Sequence, residues 1–322
     1  MELNEFLAEW HNDNPRILVH TSGSTGKPKP LMVEKRRMLN SARITCDFLG
    51  LKPGDTALLC MPLDYIAGKM MVVRSLQRDL RLTTVRPSSH PLADETLPHF
   101  TFAAMVPMQV YNTLKVPCER ERLMRIRHLI IGGGAISDEL AQMIKPLPNA
   151  VWSTYGMTET LSHIALRRLN GPDASLWYTP FDGVGISLNA DGCLVIDAPE
   201  VCAEPLATND IAQLRTDDRT GKTLFRIKGR KDNVVCSGGI KIQIEEVEET
   251  LRPHLSAPFM IVKKQDEMLG EKAILLTESA DLTHIEEICR NTLPKYWVPR
   301  EFLHIDHLPL TETGKPKRSG AF

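Results

Sequence analysis

From Arg16 to Trp152 the chain alternates short β-rich runs with stretches of helical spacing, and this alternation narrows the fold more than any other feature of the sequence. Ile17-Leu18-Val19, Thr56-Ala57-Leu58-Leu59, Leu82-Thr83-Thr84-Val85, Phe102-Ala103-Ala104-Met105-Val106 and Leu129-Ile130-Ile131 have the length and apolarity of buried strands. Between them, Val33 to Phe48 and Lys69 to Gln77 carry helical spacing, and Ser137-Asp138-Glu139-Leu140 has the hydroxyl and acidic first turn of a helix start. Strands that alternate with helices predict a mostly parallel α/β sheet.

After Tyr155 the punctuation changes. Asn170-Gly171-Pro172-Asp173, Asn189-Ala190-Asp191-Gly192 and Asp218-Arg219-Thr220-Gly221 are turn sequences between short strands, which predicts an antiparallel region. Gly229-Arg230-Lys231-Asp232-Asn233 is charged and turn-prone. A smaller α+β unit is expected beyond it: a helix near Gln243 to Leu251, a hairpin of Phe259-Met260-Ile261-Val262 with Ala273-Ile274-Leu275-Leu276, and a helix near Leu282 to Leu293. The expected domains are therefore 1–229 and 230–322, which suits a length of 322 residues.

The charge balance, 39 Lys+Arg against 40 Asp+Glu, gives no electrostatic reason to expect a nucleic acid partner. Seven cysteines without a CxxC pair indicate neither a zinc ribbon nor a disulfide framework. No apolar run approaches the length of a membrane span, and the acidic N-terminal residues do not resemble a secretory leader. The expectation is a cytoplasmic protein without membrane insertion.

His20-Thr21-Ser22-Gly23-Ser24-Thr25-Gly26-Lys27-Pro28-Lys29 follows a predicted strand and offers hydroxyls, backbone N–H groups and positive charge to a polyphosphate. It is not a Walker A loop, because two residues separate its glycines and Pro28 follows Lys27 where a magnesium-binding hydroxyl would stand. The loop resembles the phosphate loop of the adenylate-forming superfamily, which includes acyl-CoA synthetases, peptide-synthetase adenylation domains and luciferases. Tyr155-Gly156-Met157-Thr158-Glu159-Thr160, Thr208-Asn209-Asp210, Gly229-Arg230-Lys231-Asp232 with Ser237-Gly238-Gly239-Ile240-Lys241-Ile242, and Pro309-Leu310-Thr311-Glu312-Thr313-Gly314-Lys315 follow in the family's order.

The resemblance implies a large N-terminal adenylate-forming domain of mixed α/β sheets plus an antiparallel β region, with a small mobile C-terminal domain. It implies ATP, Mg²⁺ and CoA as cofactors and a small-molecule carboxylate as substrate. The chemistry needs positive charge, since a carboxylate must attack the α-phosphorus of ATP while pyrophosphate leaves. By resemblance, Thr21, Ser22, Gly23, Ser24, Thr25, Gly26 and Lys27 hold the β- and γ-phosphates, and Thr158 and Glu159 contact the α-phosphate and the magnesium. Lys315 bridges the carboxylate and the α-phosphate. Gly133, Gly134 and Ala135 pack beside adenine near Tyr155 and Gly156, and Asp210 and Arg230 meet the ribose hydroxyls. Asn209 stands where the family often has Gly, and Asn tolerates left-handed backbone. Asp232 corresponds to the hinge. Ser237, Gly238 and Gly239 form the face past which pantetheine reaches the acyl group in a second domain orientation, with Cys236 beside them expected to be a packing residue.

Met61 to Leu76 resembles the corresponding stretch of o-succinylbenzoate-CoA ligases of menaquinone biosynthesis. That substrate has a second carboxylate, for which Arg74 is the candidate partner, since a guanidinium matches a carboxylate bidentately. Arg74 reads equally well as a solvated charge on a surface helix near Arg78. Tyr65 and the Ser162-His163 pair are expected to line the acyl pocket, His163 as a wall or hydrogen-bonded residue rather than an acid or base. Other acyl-CoA synthetases, a free-standing adenylation enzyme that loads a carrier protein, and a non-catalytic nucleotide-binding relative are the alternatives. In the family a further stretch of subdomain size usually precedes the phosphate loop, which here begins at Thr21. A compact member lacking that upstream subdomain is expected, with the uncovered surface polar, rebuilt or buried in a homo-oligomer.

Overall fold

The computed structural model describes residues 1–20, 30–134, 136–310, 317 and 318. Helix α1 (Leu3–His11) buries Phe6. Strand β1 (Arg16–His20) pairs antiparallel with β2 (Pro30–Glu34), with Ile17 opposite Val33. The expected buried strand at Ile17-Leu18-Val19 thus belongs to a two-stranded ribbon outside the parallel sheet. Its burial alternates, with Ile17 and Val19 inside and Leu18 exposed, as a strand covered on one face requires.

Next come α2 (Lys35–Leu49), β3 (Thr56–Leu59), α3 (Ile66–Arg78), β4 (Arg81–Thr84), β5 (Phe102–Met105), α4 (Pro107–Lys115), α5 (Pro117–Met124), β6 (His128–Ile131), α6 (Asp138–Ile144) and β7 (Ala150–Gly156). The strands lie in the order β4-β3-β5-β6-β7 and all pair parallel. Burial is near-continuous in β3, β5 and β6 and complete across Phe102–Met105, as strands covered on both faces require, whereas the edge strand β4 has no buried residue. Ser137 caps α6 by accepting from the Leu140 N–H at 3.2 Å, as its sequence predicts. Helices α4 and α5 each begin with proline in the first turn, where a missing N–H costs nothing. Strands β8 (His163–Arg168) and β9 (Thr179–Pro180) extend the sheet antiparallel.

Four further strands, β10 (Gly185–Leu188), β11 (Cys193–Asp197), β12 (Leu206–Thr216) and β13 (Thr223–Arg230), form a sheet in chain order. By contact, the chain divides into two compact units. The first comprises Met1–Ile186, Ile196–Leu206 and Arg215–Phe225, and the second Ser187–Val195, Ala207–Leu214 and Arg226–Phe322.

The second unit contains β14 (Val234–Ser237), β15 (Ile240–Gln243), α7 (Ile244–Leu251), β16 (Phe259–Asp266), β17 (Gly270–Thr277), α8 (Leu282–Thr292) and β18 (Glu301–His304). The expected hairpin pairs from Phe259 opposite Thr277 to Asp266 opposite Gly270, and β18 lies parallel to β17. The strand period of two sorts the side chains into two cores. Ile261, Ala273 and Leu275 pack with Val247 and Leu251 of α7 and Ile285 and Cys289 of α8. Met260, Val262, Ile274 and Leu276 pack with Leu303, Ile305 and Leu308.

Candidate active site

Helix α3 places Arg74 in the interior. The residue is 2 % exposed, which overturns the solvated-surface alternative. Gly68 lets the helix start so close to the preceding chain: a Cβ there would meet the Pro62 carbonyl oxygen at 2.3 Å. Arg74 Nη2 donates to Ser162 Oγ, and Nη1 approaches Met71 Sδ at 3.9 Å. Its Nε is buried without a hydrogen-bond partner. Among the described residues Arg74 has no ion pair. Burial lowers its pKa to about 10, so the guanidinium still carries its charge at neutral pH.

The proton positions around it follow from the acceptors. Thr45 donates to the Ser41 carbonyl at 3.0 Å, so Thr45 Oγ1 accepts from His163 Nε2 at 3.1 Å. His163 Nδ1 then accepts from the Ser162 hydroxyl at 3.2 Å, and Ser162 Oγ accepts from Arg74. The result is a one-way relay from guanidinium to helix carbonyl, with His163 neutral. Desolvation by burial and then the charge of Arg74 hold the His163 pKa well below its ordinary value. His163 is thus a buried, hydrogen-bonded residue. Sequence reasoning paired Ser162 with His163 as lining residues and did not find Thr45, which lies 118 positions from His163 in the chain.

Beside the relay, Thr158–Thr160 forms a single 3-10 turn. Thr160 is fully buried; it accepts from the Met157 N–H at 2.9 Å and donates to the Ser162 carbonyl at 2.7 Å. Leu161 follows with φ 65°, a left-handed conformation that costs a branched residue free energy and persists where the surroundings fix it. Thr158 is buried and Glu159 exposed. The Glu159 carboxylate has no ion pair or side-chain hydrogen bond among the described residues, a condition that fits a cation ligand. Gly156 is dictated by packing: at the bulge between β7 and β8 a Cβ would lie 2.2 Å from the Ser162 carbonyl oxygen. Tyr155 sets its ring edge-on to Phe225 at 5.0 Å and tilted to Tyr178 at 5.8 Å. Gly133 takes φ 82° after β6, where a side chain would be strained. Tyr65 is half-buried at the N-terminal boundary of α3.

In the second unit the structure brings together residues that the sequence paired. Arg230 donates through Nη1 to Asp210 at 3.0 Å and through Nη2 to Asp232 at 2.9 Å. Asn209 Nδ2 approaches Asp232 Oδ2 at 3.3 Å. Asn209 lies within β12 and is not left-handed, so the asparagine here serves through its side chain rather than its backbone freedom. Gly238 and Gly239 have φ of 56° and 82° and join β14 to β15, a two-residue turn with both central residues left-handed. The turn itself therefore demands both glycines. Cys236 is exposed, which corrects the expectation that it packs: on this strand Val235 faces the core and Cys236 the opposite side.

Thr21, Ser22, Gly23, Ser24, Thr25, Gly26 and Lys27, together with Ala135 and Lys315, lie outside the described residues. Among the described residues no helix is long and apolar enough to cross a membrane.

The family model described as "AMP-binding enzyme" matches residues 4–203. The chain belongs to the AMP-binding enzyme family. A solved acyl-CoA synthetase (AMP-forming)/AMP-acid ligase II-like protein from Dyadobacter fermentans is 33% identical with a TM-score of 0.67, covering 98% of this chain and 91% of that one. The 2-succinylbenzoate-CoA ligase of Bacillus mycoides is 25% identical over 95% of this chain and 69% of its own length. The O-succinylbenzoate coenzyme A synthetase of Bacillus subtilis, solved with ATP and magnesium ion, shares the fold with a TM-score of 0.74 at 22% identity, over 94% of this chain and 69% of that one. This AMP-binding enzyme is accordingly an AMP-forming acyl-CoA synthetase with the mixed α/β architecture of adenylate-forming enzymes.

Proposed function

We propose that this acyl-CoA synthetase activates o-succinylbenzoate with ATP and transfers the acyl group to CoA, the ligase step of menaquinone biosynthesis, in the cytoplasm. One observation carries the choice of substrate: Arg74 is a buried cation with an unpartnered Nε and no acidic partner among the described residues. A substrate with a second carboxylate supplies what the protein withholds. The names of the curated relatives support the same reading.

In the first step a carboxylate oxygen of the substrate attacks the α-phosphorus and pyrophosphate leaves, giving acyl-AMP. In the second the CoA thiol sulfur, losing its proton, attacks the acyl carbonyl and AMP leaves. Thr21 to Lys27 hold the β- and γ-phosphates, and Gly133, Gly134, Ala135, Tyr155 and Gly156 surround the adenine. Asp210 and Arg230 bind the ribose hydroxyls. Glu159, with Thr158, would hold Mg²⁺, which would supply charge neutralisation at the phosphates. Lys315 stabilises the charge shared by carboxylate and α-phosphate. Tyr65 and His163 shape the acyl pocket, and His163, being neutral, adds no competing charge near Arg74. The C-terminal domain, 230–322, turns about Asp232 to present Ser237, Gly238 and Gly239 to CoA.

The test is ATP- and Mg²⁺-dependent AMP release with o-succinylbenzoate, with and without CoA, against benzoate and fatty acids. Thioester and AMP with o-succinylbenzoate are expected. AMP with fatty acids alone would overturn the substrate, and no AMP with any acid would favour a non-catalytic nucleotide-binding relative.

A further inference from the structure

Ser162, the group that meets Arg74, is held by its backbone on both sides. Its N–H donates to the Thr160 carbonyl at 2.7 Å, and its own carbonyl accepts from Thr160 Oγ1 at 2.7 Å. What stays open is the direction of its hydroxyl hydrogen, since a serine oxygen can donate once and accept twice. That direction is decided by His163, whose Nδ1 lies 3.2 Å from Ser162 Oγ. A bare Nδ1 draws the hydroxyl hydrogen in, whereas a protonated one turns it away.

His163 does not settle its own tautomer. The ring is buried against Phe181, centroids 5.5 Å apart, away from bulk water. Its other nitrogen meets Thr45, a fully buried residue of α2. The Thr45 hydroxyl donates one turn back to the Ser41 carbonyl at 3.0 Å, leaving a lone pair and no hydrogen for His163 Nε2 at 3.1 Å. The ring hydrogen therefore sits on Nε2, Nδ1 is bare, and the Ser162 oxygen turns a lone pair to Arg74 Nη2. The order ends at two donors of Arg74 that the protein leaves open. Nε is buried without an acceptor, and Nη1 meets only the Met71 thioether at 3.9 Å.

We propose that Thr45 is a positioning residue for the substrate's second carboxylate: by fixing the tautomer of His163 it keeps the Ser162 oxygen as an acceptor for Arg74 and so aims the remaining guanidinium N–H groups at the acid. The proposal rests on the reading of Arg74 given above and deepens it. Thr45 is too deep to touch the acid and acts through His163 and Ser162. Without its hydroxyl, an Nε2–H would be left buried and unpaired, which costs more than moving the hydrogen to Nδ1. The ring would then donate to Ser162 Oγ, and that oxygen would be shared between His163 and Arg74. Selection of a diacid over a monoacid is the property at stake, and the reacting carboxylate is untouched.

Thr45→Val, which keeps the shape and loses the hydroxyl, and Thr45→Ser, which restores it, are compared with Arg74→Met in the full chain. AMP release gives kcat and KM for o-succinylbenzoate and for an analogue lacking the second carboxylate. Nitrogen NMR of histidine-labelled protein reads the tautomer of His163, its signals assigned by their loss in His163→Gln. The wild type is expected to carry the hydrogen on Nε2. Thr45→Val should move it to Nδ1 and raise the KM for o-succinylbenzoate roughly five- to tenfold, with kcat and the analogue's KM within about twofold. Thr45→Ser should restore both readouts. A wild-type hydrogen on Nδ1, an unchanged tautomer in Thr45→Val, or a KM rise that is absent or equal for the two acids overturns the proposal. Should Thr45→Val fail to fold, Ser162→Ala decides: a KM rise confined to o-succinylbenzoate supports the proposal, and an equal or absent rise overturns it. Equal losses for both acids in Arg74→Met would refute the reading of Arg74 and the role of Thr45 with it. A selective loss in Arg74→Met with none in Thr45→Val refutes the role of Thr45 alone.

Discussion

Two arginines in this enzyme are handled in opposite ways. Arg230 lies half-exposed between two carboxylates, Asp210 and Asp232. Arg74 is buried and meets a serine hydroxyl, a thioether and no acid among the described residues. The charge of Arg230 is more than offset before any ligand arrives, an arrangement suited to orienting neutral hydroxyls. Arg74 is solvated without being neutralised, an arrangement suited to an anion. The protein accepts the desolvation cost at Arg74, and a buried cation without a counter-ion is expensive enough to need a reason.

The strongest way to break this contrast is Arg74→Met. Removing the cation from a buried carboxylate's pairing partner is expected to lower kcat/KM for o-succinylbenzoate about 100-fold or more, while an analogue lacking the second carboxylate reacts almost unchanged. Equal losses for both acids would show that Arg74 serves packing alone.

A smaller effect concerns pH. The folded-state pKa of His163 is depressed, so the unfolded chain binds the proton more readily and stability falls as pH drops below the ordinary histidine value near 6.5. The contribution approaches about 1.4 kcal/mol per pH unit in that window and vanishes above it. Denaturant unfolding of His163→Gln across pH 5 to 8 should show a shallower acid loss. Because Arg74 is the second cause of the depression, Arg74→Met should raise the lower edge of the window and so reduce the total acid loss; no change would place the whole effect in burial.

The mildest expectation is Arg230→Ala. Half-exposed ion pairs are worth roughly 1 kcal/mol or less, so unfolding should barely change. The KM for ATP should rise about fivefold with the KM for the acid unaltered, a loss of uniform binding. A rise in the acid KM instead would erase the distinction between the two arginines.

Much of the architecture was legible because burial leaves a periodic trace. The β-rich runs at Thr56, Phe102 and Leu129 became parallel strands, and the Phe259 and Ala273 runs became the hairpin. Arg74 was not legible for the converse reason. Every residue from Gly68 to Ser75 is buried, so α3 has no polar face there from which to infer the inward one. Strand β1 was read with the parallel strands, because a half-buried strand of five residues resembles a buried one over three, and β2 was missed, its Val33 having been assigned to the helical stretch that follows. Asp210 and Arg230 were found by motif and are joined in the structure. The Thr45 hydroxyl that fixes the tautomer of His163 has no local signal, since its partner belongs to another element. The Arg318 side chain likewise has no local signal, since its partners lie on α7 and β16.

The one-way relay from Arg74 has a consequence beyond geometry. Each group in it turns its negative end toward the guanidinium, so the cation is stabilised by dipoles whose influence fades within a few ångströms. A carboxylate in their place would have cancelled the charge at every distance. The net positive field of Arg74 therefore extends outward from the interior, where low polarisability of the surroundings weakens it less than water would. An anionic acid can be drawn by that field before it makes any contact, and the pull grows weaker as ionic strength rises.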